Sequence, residues 1–394
     1  MKTLLIEAPR PNSTFAKYNS QFILPNILCD IAGSIKDKVA FQNELKNRAK
    51  INLGDFDRYI VNISEVVEKT HKDKEVVTLL KDLQDRCFNI FDKKEVFLSG
   101  WYSWIKKAEL EQAGFKVTDY LFYEKSFNDS LKSPADVSPT WDLIDWAQVP
   151  KINGKIRATL RTSRGCLNKC IMCPVNLIYK NKMYVFPLDW VKEQITILYK
   201  NYNVREINFI DDNFLFSDKR TIELLTWLAQ NRKSTLKGLS YMFHEGMEVR
   251  TALNEDVVKL LKEAGFHGIK LGVESFNKAT LEYIKKPYSN PDDAIKAIQM
   301  LQKYKLNPTC FICLGFPTDT EESIKKDIKI LKDLKAKVRC QILYSYSNNS
   351  NNSNLTKSQL LNLQNEMLEV CGSNIWKKDK KNIKTLVNEQ NQLF

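Results

Sequence analysis

Thr162-Ser163-Arg164-Gly165-Cys166-Leu167-Asn168-Lys169-Cys170-Ile171-Met172-Cys173-Pro174 is the stretch that decides how this chain is read. Three cysteines stand in C-x3-C-x2-C spacing directly after a strand-like run, in a loop that a glycine begins and a proline ends. A loop this tight can wrap three thiolates around one corner of a cluster. Electron-transfer clusters normally take four cysteines, so three leave one iron of a cubane without a protein ligand. A structural zinc site also wants a fourth Cys or His. The histidines, His71, His244 and His267, are far off in sequence, so only folding could bring one close.

Outward from the loop, the hydrophobic pattern predicts a regular alternation of strands and helices. Strands are expected at 157–162, 206–210, 239–243, 267–271, 309–314 and 338–343. The clearest helix is 255–264, with Asn254 at its N-cap, a stripe of Val257, Leu260, Leu261 and Ala264, and Gly265 just past its end. Six strands with intervening helices give an α/β fold, a partial (β/α)6 barrel of the TIM type over 156–346, with its site on the loops at the strand C-terminal ends. Upstream, strands at 3–7, 59–63, 95–98 and 116–121, with helical spacing at 76–83 and 103–113, predict a Rossmann-like α/β unit over 1–125. No G-x-G-x-x-G accompanies it, so nothing argues for a dinucleotide. Residues 126–155 read as a linker, and 347–394 as a small C-terminal extension that begins in a Ser/Asn run.

Composition narrows the class. At 43% hydrophobic and 11% aromatic residues, the 394-residue chain can bury real cores. No run approaches the roughly eighteen uncharged apolar residues of a membrane span, and the apolar part of Met1–Ser13 is too short for a secretory signal. A cytoplasmic protein is expected. Its nine cysteines then read as metal ligands or core residues rather than a disulfide framework. A net charge of +13 suits a nucleic-acid partner, and equally a merely soluble lysine-rich surface, because no dense basic run stands out.

The cysteine loop resembles the signature of the radical S-adenosylmethionine (SAM) superfamily. Further stretches are similar to members that follow a cobalamin-binding-type domain: Ser138–Leu143, Ile207–Phe214, Lys262–Gly265 leading into Leu271–Ser275, Leu281–Lys286, and Ile312–Pro317 with Thr320–Glu322. The resemblance implies a 4Fe-4S cluster on Cys166, Cys170 and Cys173, whose open iron chelates SAM. It implies reductive cleavage to methionine and a 5′-deoxyadenosyl radical, with the electron supplied by an external carrier such as flavodoxin or ferredoxin. It also implies SAM contacts: Asp211 or Asp212 at the amino group, Glu274 and Ser275 at ribose and carboxylate, Arg250 at the carboxylate, and Met172 and Gly315 along the adenine.

The pattern also departs from the family. The D-x-H-x-x-G string that supplies a cobalamin ligand is absent, and so is a Pro-Gly-Thr turn after the last strand. Cobalamin is therefore left open. Two overall reactions are expected to compete: hydrogen abstraction leading to rearrangement, cleavage or coupling of a nucleobase or peptide, slightly favoured by the missing histidine, and cobalamin-dependent methyl transfer to an unactivated carbon. A non-enzymatic rival is an iron–sulfur or zinc nucleic-acid-binding protein. Cys310 and Cys313, three apart in one strand, should point to opposite faces, and one of Cys310, Cys313 or Cys340 could face the barrel interior as a hydrogen-atom donor.

Overall fold

The computed structural model describes residues 2–7, 32, 34–35, 38–43, 57–62, 95–100, 103, 107–112, 114–118, 130–147, 149, 151–243, 245–286, 288, 290–343 and 353–372. They belong to two compact units, one within Met1–Pro150 and one within Lys151–Val387.

The first unit is built on a parallel sheet of β1 (Lys2–Glu7), β2 (Lys38–Asn43), β3 (Arg58–Asn62), β4 (Glu95–Ser99) and β5 (Lys116–Val117), in the order β2-β1-β3-β4-β5. Leu4, Leu5, Tyr59, Ile60 and Leu98 are its sealed core. Strand β2 escaped the sequence reading, because Lys38-Val-Ala-Phe-Gln-Asn43 carries neither clean alternation nor a β-branched run. Of the helix expected at 103–113, α1 (Lys107–Gln112) is observed; the helical spacing at 76–83 falls outside the described residues.

The second unit opens with a hairpin of β6 (Lys151–Ile152) and β7 (Lys155–Leu160), then β8 (Ser163–Gly165), helix α2 (Pro174–Tyr179) and β9 (Met183–Val185). It continues with α3 (Leu188–Asn201), β10 (Val204–Phe209), α4 (Asp218–Arg232), β11 (Ser240–Phe243) and β12 (Met247–Glu248). Next come α5 (Val249–Ala252), α6 (Glu255–Ala264), β13 (Lys270–Glu274), α7 (Lys278–Tyr283) and α8 (Pro291–Lys303). The unit ends in β14 (Thr309–Leu314), α9 (Glu321–Asp333), β15 (Lys337–Ile342) and α10 (Lys357–Cys371). Strands β7, β10 and β11 are parallel neighbours, as are β12, β13, β14 and β15. The two ladders are joined where His267 N–H donates to the Tyr241 carbonyl at 2.9 Å. The result is the curled sheet of a partial barrel.

Burial alternates along β13, β14 and β15, so Leu271, Val273, Cys310, Ile312, Val338 and Cys340 are sealed while Lys270, Glu274, Phe311, Cys313 and Arg339 keep some exposure. Strand β13 runs 270–274 rather than 267–271. Residues 265–267 are taken by the Gly265 helix cap and the bridge to Tyr241, so the strand proper starts later. Helix α6 has the expected Asn254 cap and a left-handed Gly265, but it buries Val258 instead of Leu260. Helix α10 buries Leu360, Leu361, Leu363, Met367 and Leu368 and donates from Gln364 Nε2 to the Cys340 carbonyl, covering the β15 edge. No helix among the described residues is long and apolar enough to cross a membrane.

Candidate active site

The cysteine loop leaves the C-terminal end of β7 and is closed at its base by pairing of β8 with β9, Gly165 facing Met183. Gly165 has φ +87°, and a Cβ there would lie 2.2 Å from the Lys182 carbonyl oxygen. Glycine is therefore the residue this turn tolerates. Beyond it the chain is braced at every cysteine. Cys166 Sγ accepts from Asn168 N–H at 3.4 Å. The Cys170 carbonyl accepts from Asn176 Nδ2 at 2.8 Å and from Cys173 N–H at 3.1 Å. Ile171 N–H donates to the Ile284 carbonyl at 3.0 Å, tying the loop to the end of α7.

Cys166 and Cys170 are buried and Cys173 is partly so. Burial pushes all three thiols up, Cys173 to about 12, while the Lys286 ammonium acts in the opposite sense on Cys170. Thiolates in such a place need a positive partner, which bound iron supplies. Among the described residues no group of three or more His, Cys, Asp or Glu side chains is gathered tightly enough for a single metal ion. A cubane asks for something else: each thiolate binds a different iron, so its ligands stand apart around one corner. Three thiols on one braced loop fit that donor set.

Both acids after β10 hold this loop in place. Asp211 is sealed and takes four bonds: from Thr162 N–H to Oδ1 at 3.0 Å and to Oδ2 at 3.1 Å, from Thr162 Oγ1 at 2.7 Å, and from Ser163 Oγ at 2.6 Å. Arg220 completes the grip by donating to the Thr162 carbonyl at 3.1 Å. Asp212 accepts from Gly165 N–H at 2.8 Å. Burial raises both carboxyl pKa values, against these bonds and the nearby Arg161. The turn that aims them is anchored by Phe214, stacked on Phe209 with ring centroids 4.7 Å apart.

The remaining expected residues divide into two groups. Glu274 ends β13 with φ +66°, a costly value for a side chain with a Cβ, at a break in register with β14. Its Oε1 lies 3.0 Å from Lys286 Nζ, and both side chains are nearly buried. Burial disfavours the Lys286 ammonium, yet Glu274 and the neighbouring cysteines outweigh that and hold its pKa above the usual lysine value. Met172 is part-buried between the second and third cysteines. Ser275, by contrast, donates to Asp327 Oδ2 at 2.9 Å and accepts from Asn277 N–H, which makes it a helix-entry residue. Arg250 is exposed and pairs with Glu248 at 2.8 Å. Gly315, at φ +101°, donates its N–H to Asp319 at 2.8 Å and faces Leu360 and Ile342. Of the three candidate thiols, Cys310 and Cys340 are sealed on the helix side, and Cys313 lies on the opposite face with Phe311.

Two residues given no role in the sequence reading belong here. Glu248 accepts from Asn168 of the loop and, at 2.7 Å, from Asn213 Nδ2. Burial opposes its ionisation, but bonds from Arg250, Asn168 and Asn213 hold its carboxyl below the usual range. Lys286 is the second. It closes the quoted stretch Leu281–Lys286, where a lysine after a helix looks like an ordinary surface residue.

Residues 160–331 match the Radical SAM superfamily. They form a radical SAM domain. The chain is 31% identical over half its length to an uncharacterised methyltransferase of Pyrococcus horikoshii, of which the match covers 41%. It is 24% identical to the hopanoid C-2 methylase of Rhodopseudomonas palustris over 42% of this chain and 31% of that one. The match thus spans less than half the length of these curated relatives. In structure the chain resembles the radical S-adenosylmethionine methyltransferase TsrM of Kitasatospora setae, solved with cobalamin and a 4Fe-4S cluster bound: TM-score 0.64, 13% identity, 86% of this chain and 74% of that one. It also resembles the cobalamin-dependent radical enzyme OxsB, with TM-score 0.62, 14% identity, 93% of this chain and 56% of that one. At such identities the likeness is one of fold.

Proposed function

We propose that the chain reductively cleaves SAM at a 4Fe-4S cluster on Cys166, Cys170 and Cys173, and that the net reaction is methyl transfer to an unactivated carbon. The observation that carries the first part is the braced three-thiol loop at the end of the first barrel strand, with Glu274 and Lys286 beside it. A bound cluster supplies one low-potential electron to the SAM sulfonium, giving methionine and a 5′-deoxyadenosyl radical. The protein's own groups position the reactants. Asp211 and Asp212 fix the loop, and the Lys286 ammonium suits the SAM carboxylate better than Arg250, which is exposed and paired with Glu248. Glu274, with Oε1 on Lys286, would offer Oε2 to the ribose hydroxyls, and Met172, part-buried on the loop, would lie along the adenine.

Methyl transfer is favoured by the names of the relatives and by TsrM. A corrinoid would suit the N-terminal sheet, whose order β2-β1-β3-β4-β5 reverses direction between β1 and β3, the usual place for a ligand crevice. The loops after β1 and β3, and His71, fall outside the described residues, so no step is derived through a corrinoid. The second reading, hydrogen abstraction without methylation, is favoured by the missing D-x-H-x-x-G. Cys313, on the strand face opposite Cys310, would then be the thiol to return a hydrogen atom. A nucleic-acid partner rests on net charge alone. Product analysis separates the readings: methyl transfer requires S-adenosylhomocysteine alongside 5′-deoxyadenosine, and 5′-deoxyadenosine alone in a productive turnover selects the second.

A further inference from the structure

Among the described residues, large apolar side chains are buried with few exceptions, and three of the exceptions belong to the cysteine loop and its immediate neighbour. Leu167 is 60% exposed, Ile171 50% and Tyr283 43%. Leu167 follows Cys166 and Ile171 follows Cys170, so each exposed side chain adjoins a buried ligand thiol. Ile171 N–H is bonded to the Ile284 carbonyl, which places Tyr283 and Lys285 beside the loop. The rim is basic: Lys169 and Lys285 are exposed, and the one acid near them, Glu282, is already paired with Lys278 at 3.8 Å. The other acids around the loop, Asp212, Glu248 and Glu274, are engaged by Gly165, by Arg250 with two asparagines, and by Lys286.

An exposed apolar patch with a net positive rim is the form of a transient protein interface. The geometry points to this patch as the docking surface for the one-electron donor, a small acidic carrier protein that presents the edge of a low-potential cofactor. The assignment rests on the reading of Cys166, Cys170 and Cys173 as cluster ligands. Apolar contact there would bring the donor's cofactor against the two buried thiols, and Lys169 and Lys285 would steer an acidic partner onto it. In the step, the carrier loses one electron and the cluster gains it; no bond is made and no proton moves.

The test uses the full chain with its cluster reconstituted anaerobically, mixed with reduced flavodoxin while the cluster's visible absorbance is followed. Ile171→Ser with Lys169→Glu should slow reduction by flavodoxin about tenfold at low salt and flatten its salt dependence, with reduction by dithionite unchanged. Lys335→Glu with Lys337→Glu, at the opposite end of the barrel strands, should leave both rates as in the parent. Equal flavodoxin rates in parent and loop variant would overturn the assignment. So would equal slowing with dithionite, which would make these residues part of the cluster's housing. Failure of the parent to take up a cluster would instead remove the underlying reading.

Discussion

Lys286 Nζ and Glu274 Oε1 lie 3.0 Å apart at the edge of the cysteine loop, with about an eighth of each side chain exposed. The ammonium has three donors and, among the described residues, this carboxylate is its one hydrogen-bond partner. A nearly buried charge with donors to spare would suit a further anionic ligand, the role proposed for it above. Lys286→Met should leave Glu274 buried and unpaired and cost about 3 kcal/mol. Lys286→Met with Glu274→Gln should recover most of that stability and still bind SAM more weakly than the parent. Denaturant unfolding and a SAM titration together check this; full SAM affinity in the double variant would remove Lys286 from the site.

Gly165 carries a second prediction. A methyl group there meets the Lys182 carbonyl at 2.2 Å, and φ of +87° adds strain. Gly165→Ala should therefore open the β8–β9 closure and cost more than about 2 kcal/mol. Cluster content per chain should fall while far-ultraviolet dichroism changes little.

Acid should loosen the other end of the barrel. Burial disfavours the Glu206 carboxylate, but His267, whose Nε2 lies 2.6 Å away, and Arg157 hold its pKa below the usual value. A carboxyl depressed in the folded state contributes stability above its unfolded pKa and loses it as pH falls through the folded one. Unfolding midpoints should therefore drop from about pH 4.5 downward, and Glu206→Gln should flatten that part of the curve. An unchanged acid limb would count against the pairing.

The inward thiol gives a fourth expectation. Cys310→Ser puts a hydroxyl into a sealed apolar position and should destabilise the fold by about 1–3 kcal/mol with little effect on products. Cys313→Ser should leave stability nearly unchanged. If the second reading of the reaction holds, it should also raise the ratio of 5′-deoxyadenosine to finished product.

Much of this was legible in the chain, for identifiable reasons. The cysteine triplet is local, so spacing alone exposed it. The strand at 309–314 matches its expected bounds because Thr-Cys-Phe-Ile-Cys-Leu is a mostly apolar run bounded by the breakers Asn307-Pro308 and Gly315. Strand β13 was displaced because Phe266 and His267 look like strand residues but serve a helix exit and a bridge. The hydrogen-bond partners of Asp211, Ser275 and Arg250 could not be read, since each depends on a residue about 50 positions away or on a side-chain direction: Thr162, Asp327 and Glu248. Lys286 escaped for the same reason. A lysine's burial is a property of the fold.

The central claim is tested most directly by giving the anaerobically reconstituted protein SAM and dithionite and measuring 5′-deoxyadenosine. Cluster absorbance with about four irons per chain, and 5′-deoxyadenosine formed in the parent but not in a folded Cys173→Ala variant, is the predicted result. A fully loaded, reducible cluster that leaves SAM intact would contradict the account.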